Sequence, residues 1–96
     1  MGSESFTHQA EGKTAKEAFN KAREEAFYDH GHSGYTGTIA EKESFVMIEL
    51  PKGQDAEEYA GKLINKGDER IDDKWGSAGC IKTGKNCYLF FGWASC

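Results

Sequence analysis

The stretch from Cys87 to Ala94 limits this chain most tightly. Cys87, Leu89, Phe91 and Trp93 alternate there with Tyr88, Phe90, Gly92 and Ala94, so both faces of a period-two strand are apolar. Such a strand has to run through the middle of a sheet, or it leaves an aromatic face for a partner. Its nearest neighbour is Ala78 to Lys82, which makes a last hairpin with it around Thr83-Gly84 or Gly84-Lys85.

The remaining elements follow from periodicity and caps. From Glu4 to Glu11, Phe6, His8 and Ala10 alternate with polar residues, the pattern of a half-buried strand, and His8 reads as a satisfied histidine at the core edge. Thr14 with Glu17 is a capping-box signature. Ala15, Ala18, Phe19, Ala22 and Ala26 then form a narrow helical stripe, and its alanines let a helix running to about Asp29 sit close to a sheet, with Gly31 as its cap. Gly34 to Ala40 and Ser44 to Leu50 are rich in β-formers and suit a hairpin turned at Glu41-Lys42-Glu43. The second of these strands is apolar on both faces, which places it near the middle of the sheet. Asp55 with Glu58 caps a second helix carrying Ala56, Tyr59, Ala60, Leu63 and Ile64 on one face, closed by Gly67. The expected fold is α+β, with two helices on one face of a mainly antiparallel sheet in the order β-α-β-β-α-β-β, a ferredoxin-like variant. If residues 33–40 are loop instead, the order becomes β-α-β-α-β-β.

Ninety-six residues make room for one two-layer core, hence a single domain over residues 1–96. No run approaches the roughly 18 apolar residues of a membrane span, and the N-terminus lacks the pattern of a signal peptide, so a cytoplasmic location is expected. Three cysteines, Cys80, Cys87 and Cys96, are then expected as reduced thiols. Sixteen acidic residues against twelve basic ones give a net charge of −4, which argues against a phosphate-tracking nucleic-acid binder. Tyr88 and Phe90 would form a stacking platform if they shared an open face, but no basic groove accompanies them.

Chemistry is most concentrated in Tyr28-Asp29-His30-Gly31-His32-Ser33-Gly34-Tyr35-Thr36-Gly37-Thr38. His30 and His32 have the spacing to reach one metal ion, with Cys80 or Cys87 completing a tetrahedral site if the last hairpin lies beside them. Two exposed loop histidines are the plainer reading, and no cofactor is implied. The glycines could bring backbone amides to an anion, but this loop leaves a helix C-terminus, where the dipole has the wrong sign. A cap, a turn and a bulge account for them more simply. The second cluster runs from Asp72 to Cys80. Trp75, followed by Gly-Ser-Ala-Gly, either shapes a shallow pocket or interface anchor, or plugs one end of the core.

Gly34 to Lys42 and Asp73 to Cys80 resemble segments of short reading frames from tailed bacteriophages and prophages, a likeness that runs over most of the chain. The resemblance implies binding of a host protein or sequestration of a small molecule more than catalysis, and no catalytic residue is carried across. The expected function is therefore a binding module that uses His30, His32, Tyr35, Thr36, Gly37, Thr38, Trp75 and Cys80 to engage a host protein or small ligand. The alternatives are a metal-assisted or histidine-dependent hydrolase centred on His30, His32 and Cys80, and a nucleotide-sized ligand held at the glycine loop. The shared site requires that the tail of the first helix and the Trp75 turn lie at the same end of the sheet.

Overall fold

The computed structural model describes residues 3–30 and 38–95. Strand β1 (Ser3–Glu11) leads into helix α1 (Ala15–His30), a short 3-10 turn (Ile39–Glu41), strand β2 (Phe45–Met47), helix α2 (Ala56–Lys66) and the strands β3 (Ala78–Gly84) and β4 (Cys87–Ser95). The four strands form one mixed sheet in the order β1-β4-β3-β2. β4 runs antiparallel to both its neighbours, while β2 lies parallel to β3. Among the described residues, no helix is long and apolar enough to cross a membrane.

Both helices start where the capping residues place them. The Glu17 amide donates to Thr14 Oγ1 at 3.2 Å, which satisfies one orphan donor of the first turn of α1, and the Glu17 carboxylate reaches back to accept the Lys13 amide, just before the cap, at 3.0 Å. In α2, Asp55 Oδ2 accepts from the Glu58 amide at 3.1 Å, and Gly67 ends the helix in the left-handed region at φ 71°.

The two helices do not share a face. Ala18, Phe19, Ala22 and Ala26 of α1 pack with Phe6, Ala10, Ala78, Cys80, Tyr88, Phe90 and Ala94. Ala60, Leu63 and Ile64 of α2 pack with Ile48, Ile71, Ile81, Leu89 and Phe91. Consecutive residues of β4 fall into different clusters, so the sheet is sandwiched between one helix on each side. Topology supplies the reason. The β1-α1-β2 crossover travels from one edge of the sheet to the other, and β2-α2-β3 travels back by one strand. Parallel crossovers keep one hand, so two that travel in opposite directions must put their helices on opposite faces.

The expected hairpin of strands two and three is replaced. Residues 34–37 lie outside the description, but Thr38 Oγ1 accepts the Ala40 amide at 3.2 Å and starts a 3-10 turn whose Ile39 and Ala40 are buried in the α1-side core. A short hydroxyl side chain bonding its own backbone two residues on diverts the chain from an extended path. Among the described residues the element order is β-α-β-α-β-β, the one expected if residues 33–40 hold no strand. β2 is an edge strand, against the central position expected for it, with Phe45 on the α1 side and Val46 and Ile48 on the α2 side. The last hairpin turns one residue later than expected, at Lys85-Asn86, with Asn86 at φ 60°.

Candidate functional site

β2 and β3 are parallel neighbours, so the segments that lead into them arrive at the same end of the sheet. These are Thr38 to Ser44 and Asp73 to Ser77. They are joined: the Ala78 amide donates to the Ser44 carbonyl at 3.0 Å, and the hydroxyls of Ser44 and Ser77 lie 2.6 Å apart.

The strongest link is Lys42, whose side chain is 1% exposed. Its Nζ donates to the backbone carbonyls of Gly76 at 2.9 Å, Lys74 at 3.1 Å and Asp73 at 3.4 Å. An ammonium carries three donors, and three carbonyl dipoles from one turn converge on it in place of water. The turn has its own internal bonds, since the Trp75 amide donates to Asp73 Oδ1 and the Gly76 amide to the Asp73 carbonyl, both at 2.9 Å. With its backbone fixed from below, the turn holds Trp75 outward, 60% exposed, with Lys74 Nζ 5.3 Å from the centre of the indole.

The residues singled out from the sequence fall into three groups. His32, Tyr35, Thr36 and Gly37, with the side chain of His30, lie outside the described residues. Thr38 is half-buried and caps the 3-10 turn, and Trp75 is exposed, so these two belong to the same end of the sheet. Cys80 is fully buried in the α1-side core, where loss of solvation pushes its thiol up to about 12. A thiol held protonated in this way is neither a ready nucleophile nor a ready metal ligand at neutral pH. Among the described residues, no group of three or more His, Cys, Asp and Glu side chains is arranged to hold a metal ion.

Other sequence expectations are settled more simply. His8 is half-buried at the edge of the sheet, its Nε2 3.1 Å from Glu25 Oε1 on α1. Tyr88 and Phe90 are buried beneath α1, so they form no open stacking platform.

Lys42 was missed because Glu41-Lys42-Glu43 has the look of a solvated turn. Its partners are backbone carbonyls more than 30 residues along the chain, so no local pattern marks it. No protein-family model, no curated protein and no solved structure matches this chain.

Proposed function

We propose that this chain is a non-enzymatic binding module that receives its partner at the end of the sheet built by residues 38–44 and 73–77, with Trp75 as the anchor. The observation that carries the reading is a large indole left 60% exposed on a turn whose carbonyls are gripped by a buried lysine. An exposed tryptophan on a loose loop loses ordering entropy when it binds. On a backbone that is already fixed it loses little, and buried tryptophans dominate the energetics of many interfaces. The likeness to phage reading frames supports a host protein as the partner, and a small planar ligand is the other candidate.

The test compares the wild-type chain and Trp75→Ala as baits in a host-cell lysate, with native mass spectrometry of what each retains. Trp75→Ala is expected to change unfolding free energy by no more than about 0.5 kcal/mol, as for an exposed site. It is also expected to lose the partner that the wild type retains. A variant that folds and keeps the same partner at the same level rules Trp75 out as the anchor.

A further inference from the structure

On α1, Lys16, Asn20 and Arg23 recur at helical spacing and face Glu43, Ser44 and Phe45 at the start of β2. Together with Phe19 they enclose a cleft of about 270 Å³. Its aromatic wall is well supported, because the Phe45 ring lies 5.0 Å from Phe19 and 5.7 Å, edge-on, from Phe90. The Arg23 guanidinium sits over two rings, 5.9 Å from the centre of Phe19 and 5.6 Å from that of Phe27. Its Nε is buried and has no hydrogen-bond partner among the described residues.

Neither Arg23 nor Lys16 has a carboxylate within ion-pairing distance among the described residues. In a chain with sixteen acidic side chains against twelve basic ones, acids are plentiful enough to neutralise this pair. Aromatic rings fix a guanidinium in place without cancelling its charge. A half-buried, fixed cation with spare N–H donors is the complement of an anion. The Asn20 amide adds an uncharged donor, and Glu43 on the opposite rim disfavours a ligand of high negative charge.

We propose that this cleft binds a small ligand carrying one anionic group, carboxylate or phosphate, on a planar ring. The anion rests on Arg23 and Lys16, and the ring lies against the half-buried Phe45, which the buried Phe19 backs. The volume lies just below the roughly 300 Å³ at which drug-sized pockets begin, which limits the ligand to a mononucleotide or a smaller aromatic acid. The assignment does not depend on Trp75 being a docking anchor.

The test is titration of the isotope-labelled chain with adenosine monophosphate and with benzoate, followed by amide chemical shifts. The controls carry only the anion (inorganic phosphate for the first probe, acetate for the second) or only the ring (adenosine and benzamide respectively). At least one of the two complete probes is expected to shift the amides of residues 16–23 and 43–45, and to bind at least about tenfold more tightly than either control, the ratio expected when a charge-assisted contact and ring stacking act together. The better of the two identifies phosphate or carboxylate as the preferred group. Arg23→Gln is expected to weaken that probe by about tenfold or more. Lys16→Gln, at an exposed position where folding is unaffected, is expected to weaken it severalfold, while Trp75→Ala leaves it unchanged. The proposal is overturned if neither complete probe perturbs the cleft at millimolar concentration, if either control binds as tightly, or if Lys16→Gln binds like the wild type.

Discussion

Lys42 shows how a charged residue can hold a fold together from inside. Taking an ammonium out of water costs several kcal/mol, and here three backbone carbonyls offset that cost. Lys42→Met keeps most of the buried alkyl volume and removes the donors, so the carbonyls of Asp73, Lys74 and Gly76 lose the bonds from the ammonium. The expected loss in urea unfolding is about 2–4 kcal/mol, which for a chain of this length means a melting temperature lower by roughly 10 °C or more. Cys80 makes a separate point at the same scale. Its thiol is pushed up to about 12 by burial, whereas Cys87 is only half-buried. Iodoacetamide at pH 8 is therefore expected to label Cys87 in the native protein and to reach Cys80 only after denaturant is added, with peptide mass mapping as the readout.

Among the elements, the turn after α2 carries the clearest electrostatic signature. Asp68 accepts bonds from Arg70 Nε and Nη2 at 2.9 Å each and from the Arg70 amide at 3.0 Å. These contacts hold its carboxyl well below the usual carboxylate range. Because the folded value is lower than the unfolded one, the stabilisation is complete above the unfolded pKa of about 3.9 and is lost as pH falls below it. Asp68→Asn should lower stability at neutral pH and flatten the decline of the melting temperature between about pH 4 and pH 2, and equal acid slopes for variant and wild type would contradict this. Both helices were legible in the sequence because their signals are local: an alanine stripe after Thr14 and Glu17, and an apolar face between Asp55 and Gly67. Ser44 to Leu50 was legible as a strand, and Phe45–Met47 forms one, whereas Gly34 to Ala40 reads as a strand with a loop as the alternative. Its β-forming composition says nothing of the Thr38 cap or the burial of Ile39 beneath α1, which together make a turn where a strand was expected.

For the whole molecule, the two-faced apolarity of β4 correctly signalled a central strand, while the same pattern in β2 did not. Apolar residues on both faces report that both faces are covered, whether the strand lies inside the sheet or at its edge. Phe45 meets one helix layer and Ile48 the other. Once the element order is known, the placement of helices on opposite faces follows from crossover handedness, but it could not be reached while residues 34–40 were read as a strand. The candidate end of the sheet was legible only in part. Trp75 and Thr38 stood out by residue type, whereas the role of Lys42 depends on carbonyls brought from far along the chain, which no local pattern encodes. Lys42 ties the end of the sheet together and thereby fixes the turn that presents Trp75. Backbone ¹⁵N relaxation of the wild type and Lys42→Met reads this out. In the wild type, order parameters at Trp75 and Gly76 should be near those of β3, about 0.85, and in the variant they should fall at residues 73–77 while β3 and β4 keep theirs. A wild-type turn already below about 0.6, or a turn equally ordered in both proteins, would mean that Lys42 does not fix it.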